Sequence, residues 1–238
     1  VVDDLRQITG ELCRELDALS FGPPVTHVYN PLVYARAGWD AYLQLAGEAP
    51  GRVLLLGMNP GPFGMAQTGV PFGDVGMVRG WLGLDPVVSK PTVEHPRRPV
   101  QGLACPRSEV SGTRLWGWAR ERFGSPEAFF QRFVLANYCP LCFLEDSGRN
   151  RTPDKLTRPE RDALYAVCDR ALRRTVAVLK PERIIGIGGF AEDRAKAALG
   201  DLGLPIGRVL HPSPASPAAN VGWEREVTVQ LRALGVAV

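Results

Sequence analysis

Four short apolar runs punctuate this 238-residue chain, and each is continuous rather than alternating. They are Val53–Leu56, Phe133–Ala136, Arg183–Ile187 and Ile206–Leu210. A strand with one wet face alternates polar and apolar residues, so a continuous run reads as a strand buried on both faces. Helical spacing lies between some of them. Pro159–Leu179 repeats apolar residues at Leu164, Val167, Cys168, Ala171, Leu172 and Val176, with capping-box spacing at Thr157 and Glu160 and Pro181 just beyond its end. Phe190–Leu199 reads as a second helix stopped by Gly200. Asp3–Leu19 reads as an N-terminal helix carrying Leu5, Ile8, Leu12, Leu16 and Leu19. Strands alternating with helices predict an α/β chain with a parallel sheet. No repeat or linker divides it, so residues 1–238 are expected to form one domain.

Each run ends in turn chemistry. The first gives way to Gly57-Met58-Asn59-Pro60-Gly61-Pro62-Phe63-Gly64, the second to Asn137-Tyr138-Cys139-Pro140, the fourth to His211-Pro212-Ser213-Pro214. In open parallel sheets, ligands bind outside the carboxyl ends of the strands. Asn59, Asn137 and His211 are therefore expected to converge on one edge. Singly, each has a bland reading as a turn cap or a satisfied structural residue; together they point to a site. Gly69–Gly112 reads as a long loop rich in Gly and Pro, of the kind that forms lids and binding loops. Within it His95-Pro96-Arg97-Arg98-Pro99 is expected to lie along a phosphate backbone.

The remaining residues narrow the chemistry. The net charge of +3 permits a nucleic-acid partner without requiring one. The five cysteines, Cys13, Cys105, Cys139, Cys142 and Cys168, are odd in number and scattered, which argues against a disulfide framework. Cys139 and Cys142 have CxxC spacing, yet only His27, His95 and His211 exist to complete a metal site, so neither a metal nor a cofactor is expected. No membrane-length apolar run or leader is visible, and an intracellular protein is expected. Gly186-Ile187-Gly188-Gly189 is read as tight strand-to-helix packing rather than a nucleotide loop, and Ser213 as a turn residue. Two asparagines and a histidine suit one task well. An amide both donates and accepts, so it can read a pyrimidine edge. A histidine can donate to an oxygen gaining charge, and Phe72 offers a ring face for a flipped base.

At this point the motifs resemble a family. GMNPGPFGMAQTGVPFG (Gly57–Gly73) and HPSPASPAAN (His211–Asn220) are similar to segments of the single-strand-selective monofunctional uracil-DNA glycosylases. So are EHPRRP (Glu94–Pro99), CPRSEVSG (Cys105–Gly112), NYCPL (Asn137–Leu141) and SGRNRTP (Ser147–Pro153), and the resemblance runs from about Tyr29 to Trp223. It implies the uracil-DNA glycosylase fold, a three-layer α/β/α sandwich around a four-stranded parallel sheet. It implies hydrolysis of the bond joining uracil or a 5-modified uracil, such as 5-hydroxymethyluracil, to DNA, single- or double-stranded, by a monomer. Asn59 would position the attacking water and His211 would stabilise the departing anion. Phe72 would stack on the base, Asn137 would read its O4 and N3 edge, and Gly57 and Met58 would border it. Gly61 and Met65 would surround the 5-position, where a water that a thymine methyl cannot replace excludes thymine. Arg97, Arg98, Pro212, Ser213, Pro214, Ala215, Ser216, Pro217 and Asn220 would contact DNA.

One position departs from the pattern. Similar enzymes carry Arg-Asn between the prolines where this chain has Ala215-Ser216. That segment is the expected wedge into the duplex, so weaker opening of paired DNA is expected unless Arg225 and nearby arginines compensate. Two alternatives stay open on the residues alone: a sister glycosylase acting mainly on xanthine, and a non-catalytic damage-binding protein on the same fold.

Overall fold

The computed structural model describes residues 1–49 and 51–238. The chain begins with α1 (Val2–Asp17), β1 (Val25–Tyr29), α2 (Pro31–Tyr34) and α3 (Arg36–Ala46), then enters β2 (Val53–Gly57). Two short helices follow, α4 (Met65–Thr68) and α5 (Val75–Gly80), and after them α6 (Val110–Phe123) and α7 (Pro126–Phe130). Next come β3 (Phe133–Asn137), β4 (Cys142–Glu145), β5 (Asn150–Arg151) and α8 (Arg158–Leu179). The chain ends with β6 (Arg183–Ile187), α9 (Gly189–Leu199), β7 (Ile206–Val209) and α10 (Trp223–Ala233).

The four anticipated strands form one sheet in the order β3-β2-β6-β7, with every pair parallel. All five residues of β2 are buried, so both faces of the sheet are covered, as its unbroken apolar run requires. β2 is the first of these strands in sequence yet lies inside the sheet. The chain moves from it to β3 on one side and later to β6 on the other. This reversal opens a crevice at the carboxyl ends. Thr157 and Glu160 close the expected capping box on α8. An added Cβ at Gly186 would lie 2.4 Å from the Glu192 amide nitrogen, which is the tight strand-to-helix packing read from the sequence.

Several expectations are corrected. A second, antiparallel sheet in the order β1-β4-β5 was not anticipated. β1 buries only its two ends and β5 has two residues, too little for a periodic signal. Gly69–Gly112 is not wholly irregular, since Asp74 caps α5 by accepting from the Met77 amide. α6 and α10 are additional helices. Gly200 does cap the end of α9 as expected, but at φ −59° the chain continues into a 3-10 turn, and Gly203 makes the left-handed reversal at φ +67°. His95 is buried and cannot lie on a phosphate backbone. Its Nδ1 accepts from the Arg97 amide and its Nε2 donates to the Asp146 carbonyl.

Candidate active site

A cavity of about 600 Å³ opens at the carboxyl edge of the parallel sheet. Asn59, Asn137 and His211 all line it, with Met58, Gly61, Met65 and Phe72. Its construction starts where β2 and β3 end. The Tyr138 amide donates to the Gly57 carbonyl and the Cys139 amide to the Met58 carbonyl, both at 2.9 Å, so pairing continues past the strands. Asn59 then donates through Nδ2 to the Leu141 carbonyl at 3.0 Å and the Pro60 carbonyl at 3.3 Å. With the nitrogen end committed to backbone, Oδ1 is the end left to accept from a ligand or water.

Gly57 is the floor. A Cβ there would lie 2.5 Å from Asn137 Oδ1 and 2.7 Å from Phe72 Cε2, so only glycine lets both side chains settle on this strand end. Gly61 differs: a Cβ there would meet no atom within 4 Å, because it faces open space. Phe72 adopts φ +53°, a costly conformation for an aromatic residue. The surroundings hold it. Gly73 donates to Val70, Asp74 donates to the Phe72 carbonyl, and α6 approaches so closely that a Cβ on Gly112 would lie 2.1 Å from that carbonyl oxygen. Trp116 Nε1 donates to Pro71, the residue before it. The Phe72 and His211 rings stand 6.3 Å apart with a 43° tilt.

His211 follows β7. The Ser213 amide donates to its Nδ1 at 3.0 Å, which makes Nδ1 an acceptor and leaves the proton on Nε2. Burial lowers its pKa to about 4, so the ring is neutral near pH 7 and presents an N–H donor. Ser213 Oγ accepts from the Ala215 amide, the local turn expected of it. Ser213, Pro214, Ala215 and Ser216 form part of the cavity wall. Pro212, Pro217 and Asn220 stand behind it. Asn220 Nδ2 donates to the Pro214 carbonyl, and Arg114 donates to both Pro212 and Asn220.

Arg97 and Arg98 also lie outside the cavity wall. Arg98 packs over the Phe63 ring at 5.3 Å, and Arg107 packs over the same ring at 4.4 Å. Among the described residues none of these three arginines has a carboxylate partner.

Besides Pro60, Pro62 and Gly64 of the first motif, which had no role of their own, four lining residues were missed in the sequence: Glu109, Ser111, Asn150 and Thr152. The signal was present, because all four fall in CPRSEVSG and SGRNRTP, motifs that had no assigned role. Glu109 caps α6, accepting from the Ser111 amide at 3.2 Å and the Gly112 amide at 2.7 Å. Burial pushes its carboxyl up while those amides pull it down. Asn150 Oδ1 accepts weakly from the buried Cys142 thiol at 3.7 Å. Cys142 is thus a packing residue on β4. No group of three or more His, Cys, Asp or Glu among the described residues is placed to hold a metal.

Residues 46–230 match the Uracil DNA glycosylase superfamily. The chain is 49% identical to the single-strand selective monofunctional uracil-DNA glycosylase of Rattus norvegicus over 94% of its length and 82% of the relative's. It is 50% identical to the Bos taurus protein of that name, over 93% and 82%. The crystal structure of SMUG2 from Pedobacter heparinus aligns with a TM-score of 0.68 over 96% of this chain and 97% of that one, at 17% identity, which is a likeness of fold. No helix among the described residues is long and apolar enough to cross a membrane. Sequence identity across nearly the whole chain, on the fold and strand-end residues described above, makes it a member of the uracil-DNA glycosylase superfamily and, within that, of the single-strand selective monofunctional uracil-DNA glycosylases.

Proposed function

We propose that this protein, a monofunctional uracil-DNA glycosylase of base excision repair by its family, releases uracil and 5-modified uracil by a dissociative cleavage. In this reading the flipped base enters the cavity and stacks on Phe72, and Asn137 reads its O4 and N3 edge. The bond from the sugar anomeric carbon to N1 breaks, and the electron pair leaves with the base. His211, neutral and carrying its proton on Nε2, donates to O2 as that oxygen gains negative charge. A water held by Asn59 Oδ1 adds through oxygen to the sugar cation, and the proton it sheds passes to the departed base anion, directly or through solvent. Asn59 cannot take the proton outright, so it orients the water rather than acting as a base, and leaving-group stabilisation carries much of the rate. No lysine lines the cavity, which supports hydrolysis without strand cleavage.

One observation carries this reading: both catalytic groups have one end tied to backbone, so that the acceptor of Asn59 and the donor of His211 are left for substrate. Arg97, Arg98 and Arg107, free of carboxylates at the cavity's flank, would track the DNA backbone. Single-stranded and duplex DNA are both substrates in this reading, and the enzyme works inside the cell as a monomer.

The test is alkali-revealed cleavage of oligonucleotides carrying uracil, 5-hydroxymethyluracil, xanthine or thymine, each single-stranded and paired. Release of the uracil bases without nicking before alkali is expected, with thymine untouched. His211→Ala and Asn59→Ala should each lower kcat by about 10²–10³. Uracil release unchanged in both variants would overturn the assignment of these residues.

A further inference from the structure

Asn137 can read a base in two opposite senses, depending on which end of its amide faces which ring atom. We infer that the sulfur of Met65 fixes that choice and thereby sets the enzyme for uracil against cytosine. Asn137 Nδ2 donates to Met65 Sδ at 3.3 Å. A thioether accepts but cannot donate, so it favours the amide nitrogen and disfavours the amide oxygen. At the other end, Oδ1 rests over Gly57 and receives no donor from the described residues.

The sulfur sits on a buried, braced turn. Met65 opens α4, and all four residues of that helix are buried. The Tyr34 hydroxyl donates to the Ala66 carbonyl at 2.6 Å, Gln67 Nε2 donates to the Pro62 and Pro99 carbonyls, and Thr68 Oγ1 donates to the Gly73 carbonyl. The orienting group is therefore built into a turn bonded to three other segments.

Under the proposed function, with the base posed as the family resemblance implies, the 5-position points towards Gly61 and Met65. Going round the ring from C5, the next exocyclic atom is O4, and after it comes N3. The end of the amide nearest Met65 thus meets O4, and the end over Gly57 meets N3. With Nδ2 on the Met65 side, its second hydrogen is donated to O4, while Oδ1 accepts from N3–H. Cytosine presents an amino group where uracil has O4 and a lone pair where uracil has N3–H. It meets donor with donor and acceptor with acceptor. A flipped amide would take cytosine instead, and the flip would turn the carbonyl oxygen onto the sulfur. Met65 is a positioning residue in this account, acting through Asn137.

The experiment compares the full-length wild type with Met65→Leu, which keeps the bulk and loses the acceptor, and Met65→Gln, whose amide can donate as well as accept and so imposes no sense on Asn137. Each is given single-stranded oligonucleotides with one uracil, cytosine or thymine at the same position, and melting curves establish that all three proteins are folded. Met65→Leu should lose about three- to tenfold in kcat/KM on uracil, the effect of one hydrogen bond. It should also gain cytosine release without gaining thymine release, and Met65→Gln, which can pair with either end of the Asn137 amide, should gain cytosine release as well. An unchanged uracil-to-cytosine ratio in Met65→Leu would overturn the inference. So would cytosine and thymine release rising together, which is the signature of a pocket merely enlarged. A wild type inactive on uracil would instead sink the glycosylase reading beneath it.

Discussion

The floor of the cavity and its rim are built on different plans. On the floor, Asn59, Asn137 and Phe72 are held from several directions by backbone carbonyls, by a sulfur and by glycines that admit close approach. The rim, His211–Asn220, is braced just as deliberately: Arg114 reaches across to Pro212 and Asn220, and Asn220 returns a bond to Pro214. Its tip, however, is the exposed methyl group of Ala215. The floor has shape and chemistry; the rim has shape without bulk. A base already extruded would find its reading groups in place, while a paired base would find little to fill the gap it leaves. In the proposed reading, recognition and strand opening are therefore separable.

The largest test of that contrast uses two glycines. Gly57→Ala would drive a methyl group against Asn137 and Phe72 together, and displacing a positioned group by about 1 Å can cost on the order of 10²-fold in rate. A loss of that size on every uracil base, with overpacking that lowers stability by about 1–3 kcal/mol, is the expected result. Gly61→Ala, with open space before it, should leave the melting temperature alone and penalise 5-hydroxymethyluracil more than uracil. Single-turnover rates and thermal melts on both variants check this. Similar losses in the two would mean that the close packing at Gly57 does not set it apart from the open position at Gly61.

A smaller effect is expected at the rim. Ala215→Arg adds a long side chain at the braced tip. Unstacking a base costs a few kcal/mol, and recovering even one of these is worth about fivefold on duplex uracil. The single-stranded rate should stay within about twofold, since no gap needs filling there. Comparison of kcat/KM on matched single and double strands decides it. Equal gains on both would assign the new arginine to phosphate attraction and not to wedging.

How far the sequence foretold all this depended on where the information lay. The parallel strands were legible because burial on both faces leaves an unbroken apolar run, and the convergence of Asn59, Asn137 and His211 followed from sheet polarity alone. β1 was hidden by Thr26 and His27, and β5 by its two-residue length. α10 carries Trp223, Val227 and Leu231 at helical spacing, a readable pattern that went unused. Glu109 and Asn150 reach the cavity through tertiary packing, one from a helix start and the other from the small sheet, so their motifs were visible while their place in the site was not. The polarity of the Asn137 amide is a still finer matter, set by an atom 72 residues away in sequence.

The smallest expected effect is an absence of change with pH, and it bears on the best-held group of the rim. Burial lowers the pKa of His211 from 6.5 to about 4. Between those values the unfolded chain binds a proton that the folded chain does not, so this group makes stability rise with pH across the window and adds no slope above it. The neutral ring already predominates at pH 5. Single-turnover release from single-stranded uracil should therefore be flat from about pH 5 to 7.5 and fall as the ring protonates near 4. Glu109 shares the cavity, its carboxyl pushed up by burial, so Glu109→Gln separates its titration from that of His211. A rate that climbs on acidification through the same range would mean that the charged ring is the active form. The Ser213 amide bond to Nδ1 would then have to break before catalysis, and the rim could no longer be regarded as preset for the departing base.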